Sequence, residues 1–235
     1  MWKPVPGGST VTTKLILLSG GIDSTVTLAM AHQESPNDVA AISFDYGQLH
    51  LRELACAEHI CGHYKVQHII QQVKGLEGSP LTSEDPSRVP DGKYEDFPGL
   101  SPTYVPFRNG LLLSTASAVA MALGFDEVWF GAHASDWGSW AYPDCGPDFI
   151  EHMGYAIFYG TNNLVRLKTP ILYKTKPEVV STGLDLNVPF EFTWSCYKGG
   201  DVQCGTCPTC EERRAAFTAN DTIDPRGFAN HGHNR

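Results

Sequence analysis

Leu15-Ile16-Leu17-Leu18-Ser19-Gly20-Gly21-Ile22-Asp23-Ser24-Thr25 decides how this chain is read. An apolar strand ends there in a Gly-rich turn that opens directly into a helix. Two glycines let the backbone turn its N–H groups inward. Ser19, Ser24 and Thr25 add hydroxyls, and the helix N-terminus puts its positive dipole end on the same spot. The arrangement predicts a cradle for a polyphosphate. It is not the kinase-type loop, G-x-x-x-x-G-K-[ST], because no lysine follows Gly21 and an acidic Asp23 stands inside the turn. An anion beside a bound anion implies a cation there, or a carboxylate that orients the loop.

A second constellation is Cys196, Cys204, Cys207 and Cys210, with the spacing C-x7-C-x2-C-x2-C. Four thiols this close read better as one metal site than as two disulfides. Zn²⁺ takes four thiolates tetrahedrally, and short C-x-x-C turns supply adjacent corners. An Fe–S cluster and a redox-active C-x-x-C are the competing readings. Cys56, Cys61 and Cys145 fall outside the group, and Cys56 sits in a helical apolar pattern as a small buried hydrophobe.

With 235 residues, 42% hydrophobic and 18% charged, the chain can bury one full core. Residues 1–235 are expected to form one α/β domain, with 193–218 its zinc-binding segment. A net charge of −9 argues against clamping long nucleic acid, so a small-molecule substrate is favoured. Met1 to Thr13 carries Pro4 and Pro6 and lacks the apolar run of a signal peptide. Leu111 to Leu123 is too short and too interrupted by serine for a bilayer span. No membrane association is expected.

Strands alternate with helical segments. Lys14 to Leu18, Val39 to Phe44, Val66 to Ile70 and Glu127 to Phe130 read as strands. Ser24 to His32 and Leu51 to Cys61 read as helices, and so does Leu111 to Leu123, opened by Arg108 and Asn109 and apolar almost all round. That rhythm predicts a doubly wound, mostly parallel, Rossmann-like sheet. Gln72 to Thr103, rich in Pro, Gly, Ser and Asp, has no period and is expected to be partly mobile. A last helix starts near Pro208. In such sheets ligands gather at the carboxyl ends of strands, where Phe44 to Gln48, Val105 to Asn109 and His133 to Cys145 fall. Each has a plainer reading. Asp45-Tyr46-Gly47 could be a simple turn, Arg108 could pair with a surface carboxylate, and Asp144 could cap the helix near Pro147.

Ser19-Gly20-Gly21-Ile22-Asp23-Ser24 resembles the signature of the pyrophosphate-loop ATPases, which cleave ATP between the α- and β-phosphates and adenylate an oxygen of the substrate. Further motifs follow in order: Phe44-Asp45-Tyr46-Gly47-Gln48, Val105-Pro106-Phe107-Arg108-Asn109, Tyr142-Pro143-Asp144-Cys145, Thr193-Trp194-Ser195-Cys196-Tyr197 and Cys204-Gly205-Thr206-Cys207-Pro208-Thr209-Cys210-Glu211-Glu212-Arg213. Together they resemble the 7-cyano-7-deazaguanine (preQ0) synthases of the queuosine pathway.

That resemblance implies an adenine nucleotide alpha-hydrolase-like fold and an ATP-dependent C–N ligase using ATP, Mg²⁺ and Zn²⁺, cytoplasmic and homodimeric. It would turn 7-carboxy-7-deazaguanine and ammonia into the nitrile through adenylated carboxylate and amide. Nucleotide contacts would come from Leu18, Ser19, Gly20, Gly21, Asp23, Ser24, Thr25 and Phe44. Asp23, Ser19 and Arg108 would be catalytic, Asp23 holding Mg²⁺ or fixing the loop, and Arg108 binding carboxylate or phosphate bidentately. The deazaguanine would meet Tyr46, Gln48, Arg108, Asn109, His133, Asp136, Tyr142 and Asp144, with Trp137, Trp140 or Phe107 stacking on it. Four cysteines saturate a zinc tetrahedron, so the metal would be structural.

The chain departs from the family pattern at three places. His133 stands where Asn is usual, Phe107 where Gly is usual, and Gly146 where Arg follows Tyr-Pro-Asp-Cys. The loop between Asp136 and Tyr142 looks about two residues longer, and Cys196 to Cys204 about one shorter, which a ligand loop tolerates. These departures leave room for a paralogue that gives an amide, a decarboxylated or a conjugated deazaguanine. A tRNA-thiolating or lysine-adding enzyme would need a basic surface, and a non-catalytic zinc ribbon would show no ATP turnover.

Overall fold

A computed structural model of the chain describes residues 12–48, 52–76, 78–83, 85–137 and 141–229. Most of Met1 to Thr13, the expected helix start at Leu51, Trp140 with its neighbours 138 and 139, and the His231-Gly232-His233 tail lie outside the described residues.

Five strands, β1 (Lys14–Leu17), β2 (Val39–Asp45), β3 (Gln67–Gln72), β4 (Glu127–Trp129) and β5 (Arg166–Lys168), form one sheet in the order β3-β2-β1-β4-β5. Every pairing is parallel, with Leu15 opposite Ala40 on one side and Val128 on the other. Successive side chains of a strand point to opposite faces, and both faces are covered. Leu15, Leu17, Ala40, Ile42 and Phe44 pack against Leu113, Ala116 and Ala120 of α3 (Arg108–Leu123) and Ile157 of α5 (Pro147–Gly160). On the other face Ile16, Leu18, Val39 and Ala41 meet Leu28 and Ala31 of α1 (Ile22–Glu34) and Ala57 and Ile60 of α2 (Arg52–Tyr64). Burial on both sides explains why the central strands read as nearly continuous apolar runs, with Ser43 the polar exception inside β2. The expected boundaries hold to within about three residues, and Cys56 is buried as expected.

Reading the sequence missed β5 and α6 (Lys176–Asp185). The strand is three residues long with two cations at its ends, so it carries no apolar alternation. The helix does carry a start signal: Thr175 and Glu178 form a capping box around Pro177. With α7 (Pro208–Thr218) it packs on the outer side of α1 through Val179, Val180, Ala216 and Phe217. Between β4 and α5 lies the short α4 (Ala134–Trp137).

Residues 72–103, expected to be partly mobile, are anchored at a few points with exposed stretches between them. Short 3₁₀ turns at Pro80–Thr82, Pro86–Arg88 and Tyr94–Asp96 replace helices, which is why no helical period exists to be read. Leu76, Leu81 and Val89 are buried against Trp194 and the cysteine cluster, and the Gly92 N–H donates to the Thr206 carbonyl at 2.9 Å.

Candidate functional site

The strand order reverses between β1 and β4, where a crevice opens at the carboxyl ends of a doubly wound sheet. The loop 18–21 leaves β1 there and the loop 130–133 leaves β4. The second packs so closely on the first turns of α1 that a β-carbon on Gly131 would sit 2.9 Å from Thr27 Oγ1 and 3.0 Å from the Asp23 carbonyl. Gly20 has φ +86°, and a β-carbon there would collide with the Glu53 carbonyl of α2. Glycine is thus required by conformation and by approach.

Within the loop, Ser19 and Ser24 hydroxyls lie 3.0 Å apart, the Ser19 N–H donates to Ser24 Oγ, and the Gly21 N–H donates to Ser19 Oγ. Thr25 is fully buried and donates its hydroxyl to the Gly21 carbonyl at 2.7 Å. No side chain caps α1, so the first-turn donors face the crevice with only swinging hydroxyls near them.

Above the loop opens a cleft of about 210 Å³. Of the expected site residues, Leu18, Ser19, Asp23, Ser24, Phe44, Tyr46, Gln48, Arg108, Asn109, Asp136 and Tyr142 line it. Gly20, Gly21, Thr25, His133 and Asp144 are not among its lining residues. Glu53 and Tyr197 also line it and were not singled out from the sequence.

Arg108 does not seek a surface carboxylate. Its guanidinium lies 6.0 Å from the Tyr46 ring centroid and 3.4 Å from the Tyr46 hydroxyl. Burial opposes its charge, but Tyr46, Tyr197, Cys145 and Asp144 outweigh that and hold the proton more tightly than usual. Gln48 bends its own loop: it accepts from the Tyr46 N–H at 2.8 Å and donates to the Phe44 carbonyl at 2.9 Å. Tyr142 shares its hydroxyl with Thr103 at 2.8 Å.

Asp144 is a helix cap, but of α3 and not of the helix beginning at Pro147. Its Oδ2 accepts from the Asn109 N–H at 2.9 Å, while Gly146 holds the cap position of α5. The reason lies at Phe107, the N-cap of α3, which adopts the left-handed conformation at φ 52° and supplies no cap of its own. Neither Phe107 nor Trp137 lines the cleft. Phe107 packs on Gly110 and Phe149, and Trp137 on Tyr173.

Asp23 has a partner that the sequence did not reveal. Lys176, at the start of α6, donates to its Oδ2 at 2.8 Å and lies 3.5 Å from Glu212 of α7. His133 joins them, its Nε2 3.1 Å from the lysine nitrogen, 3.6 Å from Asp23 and 3.5 Å from Asp136. Burial alone would push the Asp23 carboxyl upward, but Lys176 and His133 outweigh it and hold it well below the usual carboxylate range. Burial pushes Glu212 up instead. The second Asp23 oxygen, Oδ1, and His133 Nδ1 are buried with no hydrogen-bond partner among the described residues. Lys176 escaped notice because it lies 153 residues from Asp23 in a segment with no glycine-rich signal.

The four cysteines converge. Their sulfurs all lie within 4.8 Å of one another, Cys204 and Cys210 at 3.9 Å, against about 3.8 Å for the corners of a tetrahedron with Zn–S bonds of ~2.3 Å. Backbone N–H groups of Thr206 and Cys207 point at the Cys204 sulfur at 3.4 and 3.3 Å, which favours thiolate. Cys196, Cys207 and Cys210 are fully buried. The donor set therefore fits a closed zinc site. It touches the phosphate loop through one residue: the Trp194 N–H donates to the Gly20 carbonyl at 2.9 Å, and its ring N–H to the Cys196 carbonyl.

A family model described as "Queuosine biosynthesis protein QueC" matches residues 13–221. This chain belongs to the QueC family. A 7-cyano-7-deazaguanine synthase from Hahella chejuensis is 40% identical over 216 residues, 90% of this chain and 91% of that one. One from Thermoplasma volcanium is 40% identical over 223 residues, 92% and 90% of the two chains. Among solved structures, an NMN synthetase from Francisella tularensis aligns with 95% of this chain and 90% of its own at 16% identity, with a TM-score of 0.48. QueC membership covers both the phosphate loop and the cysteine cluster, and the parallel sheet and Cys₄ set are those its motifs implied. None of the helices among the described residues is long and apolar enough to cross a membrane.

Proposed function

We propose that the chain is an ATP-dependent 7-cyano-7-deazaguanine synthase. It would make preQ0 from 7-carboxy-7-deazaguanine and ammonia with two ATP. The observation that carries the reading is the meeting of the uncapped Ser19–Thr25 turn and Arg108 in one cleft at the sheet's switch point, in a chain of this family. Carboxylate and ammonia do not condense at neutral pH without a better leaving group. The protein must align ATP with the carboxylate and stabilise departing pyrophosphate.

In this reading the backbone N–H groups and hydroxyls of Ser19, Gly20, Gly21, Ser24 and Thr25 take the phosphates, and Leu18 and Phe44 border the nucleotide. Arg108 faces the carboxylate, which attacks the α-phosphorus. Ammonia then displaces AMP to give the amide, whose oxygen is adenylated in turn and lost as AMP. Tyr46, Gln48, Asn109, Asp136 and Tyr142 wall the deazaguanine, with His133 and Asp144 acting from behind them. Mg²⁺ would neutralise the phosphates, with the unpartnered Oδ1 of Asp23 as its protein acceptor. Zn²⁺ on Cys196, Cys204, Cys207 and Cys210 would hold residues 193–218 to the rest of a single catalytic domain, 1–235. A homodimer in the cytoplasm completes the proposal on family resemblance.

The substituted positions of the family pattern lie away from the cleft wall, which leaves the nitrile as the expected product. Phe107 and Gly146 lie off the cleft wall, and His133 is buried in the charge network below it. The test is incubation with 7-carboxy-7-deazaguanine, ATP, Mg²⁺ and ammonium, followed by mass spectrometry. The nitrile mass with two AMP per product is the expected outcome. An amide, decarboxylated or conjugated product would transfer the chain to a paralogous activity, and no AMP at all would sink the reading.

A further inference from the structure

Both bond-forming stages of that reaction release protons, and the residues assigned to it so far supply no acceptor. We propose that Glu53 is the proton acceptor of the amide- and nitrile-forming steps, an inference that rests on the reading above.

Glu53 is the second residue of α2 and lines the cleft. Its backbone carbonyl abuts Gly20 of the phosphate loop, so its side chain leaves from the edge of the nucleotide cradle. The other carboxyls of the region are committed. Asp23 pairs with Lys176, Asp136 faces His133, and Asp144 caps α3. Among the described residues, Glu53 makes neither a hydrogen bond nor an ion pair with its carboxyl. The charged and titratable groups that bear on it are Arg108 of α3, Tyr46 of the loop after β2 and Cys56 of its own helix. Burial pushes the carboxyl up to about 7, with Arg108 pulling it back. A group balanced there accepts a proton and returns it to solvent at neutral pH.

The steps balance as follows. The ammonia lone pair forms a C–N bond at the acyl-adenylate carbon, and the carbonyl π pair moves to oxygen. Glu53 takes one proton from the new ammonium nitrogen. The oxygen pair then reforms C=O and expels AMP with the electrons of the broken C–O bond, leaving the amide. After the amide oxygen displaces pyrophosphate from the second ATP, the nitrogen carries two protons. One passes to solvent to give a neutral imidate, and Glu53, having released its first proton to solvent, takes the other. The N–H pair becomes the third C–N bond as AMP leaves.

The test is Glu53→Gln in the full zinc-loaded chain. Substrate-dependent ATP–pyrophosphate exchange reads adenylation alone and should stay within about threefold, while nitrile formation should fall on the order of 10²–10⁴-fold. With 7-amido-7-deazaguanine as substrate, no ammonium titrates. The wild type should then lose activity as pH falls below about 7, the variant should lose that limb, and Glu53→Asp should restore part of the rate. Nitrile formation at the wild-type rate in the glutamine variant, or exchange lost in parallel with product, overturns the assignment. A wild type that makes no nitrile fails the underlying function instead, and does so before any variant is compared.

Discussion

The phosphate loop and the cysteine cluster are the same device finished in two ways. In each, a glycine at positive φ, Gly20 at 86° and Gly205 at 78°, turns the chain into a helix that no side chain caps. At α7 the anion belongs to the chain: sulfur takes the Thr206 and Cys207 N–H groups permanently. At α1 only the hydroxyls of Ser19 and Ser24 stand near the N–H groups, and hydroxyls rotate aside. A helix terminus therefore becomes a clamp or a binding site according to whether its counter-charge is built in or arrives with a ligand.

The largest effect should come from breaking the closed end. Apparent zinc affinities in such sites reach ~10–16 kcal/mol, so chelation should unfold the C-terminal end first. Hydrogen exchange would then show α7 losing protection before the sheet. Adenylation lost with the fold unchanged by circular dichroism would contradict a structural metal.

Next is the charge beneath the open end. Lys176→Met takes the nearest cation from Asp23 and Glu212 and leaves His133 alone beside Asp23, and should cost about 3 kcal/mol in urea unfolding, at the low end for removal of one partner from a buried pair. Lys176 and His133 hold the Asp23 carboxyl below its ordinary 3.8. Its contribution to stability is therefore full above about pH 4 and fades as pH falls through the lower folded value. The deficit of the lysine variant should shrink in acid; a deficit unchanged down to pH 2 would assign the loss to packing.

The two glycines give the finest comparison. Gly20→Ala drives a β-carbon into the Glu53 carbonyl. It should cost about 3 kcal/mol and abolish pyrophosphate exchange. Gly205→Ala meets side chains rather than backbone, the Arg214 guanidinium at 2.8 Å and Phe228 Cβ at 3.3 Å. The left-handed backbone at φ 78° should make it cost about 1–2 kcal/mol, and exchange should stay intact. Equal losses in the two variants would dissolve the distinction between the turns.

The features legible in the sequence were those with a local signal. The central strands are mostly apolar, Gly20 and Gly21 stand directly before α1, and the cysteines crowd into fifteen residues, 196–210. What stayed hidden depends on contacts across the fold. Lys176 reaches Asp23 from the far end of the chain, and Asp144 caps a helix 35 residues earlier. Glu53 is one of many helix glutamates until the cleft encloses it. The segment 72–103 has no period because its packing runs through 3₁₀ turns and isolated buried side chains.

Phe107 bears on how related sequences should be compared. A phenylalanine at φ 52° is costly, and its ring lies where any β-carbon on residue 110 would have to go. Positions 107 and 110 are thus not free to vary independently. Where a relative carries a large side chain at the first, the second must remain glycine, whereas a glycine at the first releases the second.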